Sequence, residues 1–214
     1  MKNKILSKVF GWMFLGLMIT FCTGYIVSNS QTMLENVFTG PMYWIIIIAE
    51  IGLAFYLSAR VYKMNGTTAT CLYLFYTFLT GLTFASIFVV FEMSSIIFIF
   101  FIAALLFGTF SLIGRFTKLD LSKIGTYLFM GLIGIVVISI VNTFLLNNTL
   151  NMVAAIIGLV VFLGYTAYDI QRIVKNDYTG IDDRNTAIIS AFTLYLDFIN
   201  IFIDLLSLFG NSKD

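Results

Sequence analysis

Residues 187–209 have the sequence AIISAFTLYLDFINIFIDLLSLF, in which Asp197 and Asp204 are the only charged residues. A helix of about 20 mostly apolar residues is long enough to cross a bilayer. Asp197, Asn200 and Asp204 are spaced i, i+3 and i+7, so they lie on one face of that helix. A polar stripe on an apolar helix indicates a face that points into protein, so we expect this helix to be central and not lipid-facing.

The rest of the chain has the composition of an integral membrane protein. Of its 214 residues, 60% are hydrophobic and 11% are charged, against roughly 45–50% and about 25% in soluble domains. The apolar runs are continuous and lack the alternation of a membrane barrel. We therefore predict an all-α integral membrane protein with seven transmembrane helices in a single domain, residues 1–214. The spans are expected at 9–28, 42–59, 68–91, 96–114, 124–142, 151–173 and 187–209.

The basic residues predict the orientation of these helices. All of the 12 Lys and Arg residues except Lys213 precede the first span or lie at or after the cytoplasmic ends of even-numbered spans. The positive-inside rule then makes the N-terminus cytoplasmic and places the C-terminus outside. The residues that carry this prediction are Lys2, Lys4, Lys8, Arg60, Lys63, Arg115, Lys118, Lys123, Arg172, Lys175 and Arg184.

Several functional classes are excluded by composition. The chain has no histidine, which excludes histidine metal sites and Ser-His-Asp catalysis. Cys22 and Cys71 lie in apolar runs without metal-ligand spacing. No span contains the lysine that a retinal Schiff base requires. The net charge of +1 provides no basic stripe for nucleic acid. We expect no cofactor, no nucleic-acid partner, and the lipid bilayer as the surroundings.

Four acids lie inside predicted spans, namely Glu50, Asp169, Asp197 and Asp204. A carboxylate at membrane depth costs about 2.5–3.5 kcal/mol on insertion scales, so such residues usually face the interior of a bundle. No Lys or Arg lies in the middle of any span to neutralise them. An interior with several acids and no deep base favours a path for cations or protons.

Asp169 and Asp197 lie on consecutive antiparallel helices, at depths that differ by about 7 Å at 1.5 Å per residue. The sequence permits a pairing between them without requiring it. Two carboxylates that met in a low dielectric would share one proton and form a pH-sensitive switch. Charge repulsion or a contact with Arg60 would then bias two arrangements of the helices.

Four motifs occur in order along most of the chain: 81–83 (GLT), 107–114 (FGTFSLIG) with 117–122 (TKLDLS), 164–171 (GYTAYDIQ) and 194–202 (LYLDFINIF). Together they resemble the signatures of the Bax-inhibitor (transmembrane Bax inhibitor motif) family, and the likeness is strongest to its short bacterial members. The resemblance implies a bacterial plasma-membrane protein with seven helices, the last central and surrounded by the other six.

The resemblance also implies a pH-sensitive calcium leak gated by a hydrogen-bonded pair of aspartates. By motif match the pair is Asp169 and Asp197, which would also bind Ca²⁺ transiently, and Arg60 is the candidate for an arginine that contacts it. Glu50 matches an acid of the family's second helix. Asp204 departs from the family pattern, and two interpretations stay open: outer-side cation binding, or a side chain that reaches towards the interface.

Calcium prefers oxygen ligands, which makes Glu50, Asn200 and Asp204 candidates for the ion pathway. The alternative function is a regulator that binds another membrane protein, such as a quality-control protease. A secondary transporter also stays open, although no internal repeat is evident. An intramembrane aspartyl protease is disfavoured, because residues 194–197 (LYLD) lack the Gly-x-Gly-Asp of that class. We therefore expect a protein that is not an enzyme.

Overall fold

The computed structural model describes residues 2–60, 64–175 and 183–213 of the chain. These residues form eight α-helices, and seven of them are long and apolar enough to cross a membrane. The predicted fold class, an all-α membrane protein with seven spans, is confirmed. The helices are α1 (Lys2–Ser28), α2 (Gln31–Phe38), α3 (Met42–Arg60), α4 (Gly66–Val90), α5 (Met93–Phe116), α6 (Ser122–Leu145), α7 (Asn148–Lys175) and α8 (Asp183–Phe209).

Helix α2 falls in a segment that the sequence analysis left as a connection. Its 8 residues reach about 12 Å at 1.5 Å per residue, too short to cross a bilayer. The hydroxyl of Ser30 accepts a hydrogen bond from the Met33 amide at 3.5 Å and caps the N-terminus of the helix. Val37, its buried residue, packs in an apolar cluster with Val27 and Leu79. A search for spanning lengths misses a helix of this size.

Several helices extend beyond the predicted spans. Helix α1 begins at Lys2, seven residues before the span predicted at 9–28, and α7 extends past both ends of 151–173. The polar residues at these ends continue the helix, because the end of an apolar run need not be the end of its hydrogen-bond ladder. The orientation stays a prediction, and Lys63, which contributes to it, lies outside the described residues.

The sequence predicted one membrane domain, and by packing the helices group into two compact units. The first unit comprises Met1–Glu92, Tyr178–Tyr195 and Ser212–Asp214. The second comprises Met93–Asp177 and Leu196–Asn211. Helix α8 therefore contributes its first half to one unit and its second half to the other.

The first unit is held together by buried hydroxyls and aromatic rings. The Tyr195 hydroxyl lies 2.6 Å from the Thr20 hydroxyl, which in turn donates to the Thr77 carbonyl at 2.9 Å. Because Thr20 has a single hydroxyl proton, Tyr195 is the donor in the first contact. The rings of Tyr73 and Tyr76 pack edge-to-face against Phe192 and Tyr195, with centroids 5.0–6.4 Å apart.

The second unit packs α7 against both α5 and α6. At Gly114 of α5 the helix backbones approach closely, and a side-chain carbon there would overlap the Ala167 carbonyl of α7. The ring of Phe198 packs against Phe100 and Phe107 of α5, with centroids 5.3 Å and 5.6 Å apart. Such close backbone contacts and aromatic pairs stabilise helices where no water is available to drive their association.

Helix α8 is the most buried of the seven spans. In its most apolar window, 78% of the residues are buried, against 6% to 50% in the other spans. Its first half contacts α1 and α4 within the first unit, and its second half contacts α5 and α7 within the second. This burial agrees with the prediction, from the polar stripe, that the last helix faces protein, and its enclosure by the other six helices stays a prediction.

Candidate functional site

The second unit brings together the two aspartates that the sequence singled out. Asp169 of α7 and Asp197 of α8 are each 4% exposed. The charge of Asp169 acts directly on Asp197, so the two carboxyls are electrostatically coupled. Within the described part of the chain, one oxygen of each, Oδ2, is buried without a hydrogen-bond partner.

Two further groups belong to the surroundings of this pair. Arg172 follows Asp169 by three residues on α7, and its positive charge acts on the Asp169 carboxyl. The Tyr165 ring precedes Asp169 by one turn, and its hydroxyl lies within the field of both aspartates. Along α7, Asp169 thus lies between a half-buried phenol and a half-buried guanidinium.

Asp204 lies two turns beyond Asp197 on α8, against the backbone of α7. Its carboxylate contacts Gly158, and a side-chain carbon at that position would collide with both carboxylate oxygens. Oδ2 of Asp204 is buried and has no hydrogen-bond partner among the residues described. Asn200 and Asp204 both line a cavity of about 400 Å³ in this unit.

Glu50 has different surroundings, in the first unit. The hydroxyl of Thr80 donates to Oε1 of Glu50 at 2.7 Å, and the hydroxyl of Thr83 donates to Oε2 at 3.4 Å. Both threonines are on α4, so these bonds connect α4 to α3. Oε1 of this half-buried acid therefore has a close donor, whereas Oε2 shares the Thr83 hydroxyl with the Thr80 carbonyl, which lies nearer to it at 2.9 Å. Its predicted part in an ion pathway stays a prediction.

Arg60 is the last residue of α3 and is exposed. A cation in the last turn of a helix is favoured by the helix dipole, which is a sufficient local reason for an arginine there. Arg60 belongs to the first unit and the aspartate pair to the second. The predicted contact between them stays a prediction.

A resident metal site is not evident among the described residues, since no group of three or more His, Cys, Asp or Glu could hold an ion. Calcium held tightly takes six to eight oxygen ligands. Two carboxyls with an adjacent amide supply fewer, which suits brief binding more than storage.

The sequence analysis missed three residues of these sites: Thr80, Thr83 and Gly158. The two threonines were detectable as an i, i+3 pair of hydroxyls in the span next to the one that carries Glu50. A glycine within a span is a signal of close helix packing. Asp204 fills the space beside Gly158, and this contact could be identified only from the register between α7 and α8.

Seven apolar helices, with two buried carboxyls and one half-buried carboxyl in the second unit, define a multi-pass α-helical membrane protein with acids inside its helices. The sequence profile of a family described as "Inhibitor of apoptosis-promoting Bax1" matches residues 2–214. The chain belongs to this Bax-inhibitor family, as its motifs predicted.

Relatives in bacteria match over nearly the whole chain. The "Inner membrane protein YbhL" of Escherichia coli (strain K12) is 43% identical over 215 residues, which are 97% of this chain and 92% of YbhL. An uncharacterized protein of Borreliella burgdorferi is 41% identical over 218 residues, covering 100% of this chain and 94% of the relative. The uncharacterized protein RP147 of Rickettsia prowazekii is 35% identical, covering 99% and 91%. Together with the seven spans, these relatives confirm a multi-pass protein of a bacterial membrane.

Proposed function

We propose that this protein is a pH-sensitive calcium leak channel, gated by protonation of the pair Asp169 and Asp197. One observation carries the proposal: two coupled carboxyls, each 4% exposed, have a buried oxygen without a hydrogen-bond partner in the described residues. An ionised carboxylate in such surroundings is costly to bury. Buried acids with this desolvation cost are expected where they have a function.

Protonation gives the pair two states with different forces between α7 and α8. With one shared proton, the carboxyls attract each other through a hydrogen bond. When that proton leaves, two like charges repel across the same helix contact. Arg172 moderates the charge of Asp169, and Tyr165 adds no charge while its phenol is protonated. The helix contact thereby becomes an element that pH can bias.

The line of acids and amides along α8 supports a cation as the transported species. Asp197, Asn200 and Asp204 follow one another on one face over about 10 Å of helix. Oxygen atoms of these residue types are the ligands that Ca²⁺ prefers. A leak requires only weak sites in sequence together with a gate.

The proposed gate opens in acid, because the attraction of the charged pair to basic side chains outweighs the repulsion between its two carboxylates. At alkaline pH, the charged pair attracts basic side chains at the cytoplasmic helix ends, Arg172 and the predicted partner Arg60. Protonation removes that attraction and releases the helices. We therefore expect the flux to be larger at acidic pH.

Calcium uptake into liposomes tests the proposal. The purified protein is reconstituted, and uptake is followed with an enclosed dye at about pH 6 and about pH 8, on either side of neutrality. Asp169→Asn, Asp197→Asn and the double variant are compared with Asp120→Asn, which changes an exposed acid of the same unit. The pH dependence is expected to vanish in the first three and to persist in the last.

Two results would overturn the proposal. Uptake no faster than in empty liposomes at either pH would exclude a leak. An unchanged pH ratio in the double variant would exclude the pair as the gate. After the first result, crosslinking in the native membrane would test the alternative, a regulator that binds another membrane protein.

A further inference from the structure

The second unit contains a cavity of about 400 Å³ between α6, α7 and the second half of α8, lined mainly by apolar side chains together with five polar residues. At about 30 Å³ per molecule, a cavity of this size holds on the order of ten waters. Among the described residues, Asp204 is the only charged one that lines the cavity, and no lysine or arginine of that part of the chain contributes to the wall. The other polar residues of the lining are Ser139, Asn151, Asn200 and Ser207.

The carboxylate of Asp204 lies against the backbone of α7. Because its carboxylate lies against Gly158, no side chain separates the two helices at this point. Its Oδ2 is buried and lacks a hydrogen-bond donor among the described residues. A buried carboxylate oxygen without a donor requires a proton or a cation to offset its desolvation.

Each of the two amides that line the cavity uses one N–H in a hydrogen bond within the protein. The side-chain nitrogen of Asn200 donates to the Leu196 carbonyl of its own helix at 2.7 Å. The side-chain nitrogen of Asn151 donates to the Ser207 hydroxyl at 3.0 Å. Each amide also has a carbonyl oxygen, and these two oxygens and the Asp204 carboxylate are acceptors that a cation can use. A site that offers acceptors suits a cation.

We propose that this cavity is a binding site for a hydrated Ca²⁺ ion, held by the Asp204 carboxylate and the side-chain oxygens of Asn200 and Asn151. One carboxylate and two amides leave most of the coordination shell to water, which makes the site weak and the ion exchangeable. Asn200 lies three residues from Asp197, so an ion that leaves the cavity reaches the aspartate pair within about 5 Å of helix rise. The choice of Ca²⁺ and the role as a reservoir for the pair rest on the proposed function.

Protection of a cysteine in the cavity wall tests this site without any flux measurement. The exposed native cysteines Cys22 and Cys71 are first replaced by serine. Ser139→Cys then places a thiol in the lining without removing a proposed ligand. Its reaction with a neutral water-soluble maleimide is timed in detergent, with and without Ca²⁺ at matched ionic strength. At a Ca²⁺ concentration about twice the Kd, we expect labelling to slow about threefold.

Two matched variants identify the ligand. Asp204→Asn is expected to abolish the protection by Ca²⁺, whereas Glu35→Gln, an acid outside the cavity, is expected to retain it. The double variant Asp169→Asn, Asp197→Asn is also expected to retain protection, because neither residue lines the cavity. If Ser139→Cys does not fold, Val136→Cys provides a second position in the same wall.

Labelling that Ca²⁺ does not slow would overturn the site. A thiol that stays unreactive would also overturn it, since water would then not enter, and Asp204 would be interpreted as a side chain that reaches to the interface. The outcomes separate this proposal from the leak. Protection of the thiol by Ca²⁺ without calcium flux would support the site and contradict the channel. Flux without protection would support the channel and contradict the site.

Discussion

Glu50 in the first unit and Asp197 in the second are acids within apolar helices, yet their surroundings are opposite in kind. Glu50 receives a hydroxyl hydrogen bond from Thr80 at 2.7 Å, and the Thr83 hydroxyl lies 3.4 Å from its other oxygen. Asp197 is more deeply buried, is coupled to a second acid, and has an oxygen without a donor in the described residues. The neighbours of Glu50 offset its desolvation, and those of Asp197 do not.

This difference separates acids that stabilise the fold from acids that the fold carries at a cost. A satisfied carboxylate connects two helices and contributes to stability. An unsatisfied pair lowers stability and is retained for what it does, a common trade-off at functional sites. The two halves of α8 repeat the contrast, because Tyr195 in the first half is hydrogen-bonded through Thr20.

The largest expected effect is at Gly114, which determines how closely α5 approaches the helix that carries Asp169. In Gly114→Ala the new methyl group meets the Ala167 carbonyl, and backbone cannot give way as a flexible side chain can. We expect a loss of up to about 3 kcal/mol in the free energy of unfolding. Gly108→Ala on the same helix meets nothing within 4 Å and is expected to cause no loss. Equal stability of the two variants in a denaturation series would contradict this.

Thr80→Val removes the shorter hydrogen bond to Glu50 and leaves a half-buried oxygen without it. We expect the free energy of unfolding to fall by about 1–3 kcal/mol, the usual effect of an unsatisfied buried group. Thr109→Val is the matched control, because the exposed Thr109 hydroxyl bonds only to its own helix, at Leu105. If Thr80→Val is no less stable than the control, Glu50 is not stabilised in the way described.

Asp197→Asn is expected to change stability in the opposite direction. The asparagine removes a buried negative charge and supplies a donor to the neighbouring carboxyl. The free energy of unfolding should stay the same or rise, by up to about 1 kcal/mol. Chemical denaturation of the variant beside wild type measures the difference. A loss as large as that of Thr80→Val would place Asp197 with Glu50, as an acid that stabilises the fold.

The smallest effect is expected at the exposed ion pair between Lys175 and Asp120, whose Nζ and Oδ1 atoms are 3.0 Å apart. The hydrogen bond from Lys175, aided by Ser122, lowers the pKa of Asp120 from its ordinary 3.8 to about 2. A lowered pKa contributes stability that is complete above the ordinary value and is lost as pH falls through about 2. The charges of this ion pair therefore do not change near neutral pH.

Asp120→Asn removes an ion pair that is exposed and contributes little, so we expect thermal stability near neutrality to fall only slightly and the pH ratio of calcium uptake to keep its wild-type value. Thermal denaturation and uptake at the two pH values check this. If this variant lost the pH response, the pH sensor would be this surface contact and not the buried pair.

The sequence was sufficient for features that depend on one helix at a time. Seven apolar runs predicted the seven spans, and the spacing of Asp197, Asn200 and Asp204 predicted that the last helix faces protein, which agrees with its burial. Features that depend on the register between two helices could not be predicted from the sequence. The depths of Asp169 and Asp197 agreed only to about 7 Å, and packing of α7 against α8 was needed to couple them. The donors to Glu50 and the contact of Asp204 with Gly158 are of the same kind.

The most direct test compares the pH ratio of calcium uptake in wild type, in Asp169→Asn with Asp197→Asn, and in Glu50→Gln, all in the same liposomes. We predict a ratio that falls to one in the double aspartate variant and persists in Glu50→Gln, even if the amount of uptake changes there. A ratio that persists in the double variant and is lost in Glu50→Gln would contradict the account, since the satisfied acid would then be the sensor.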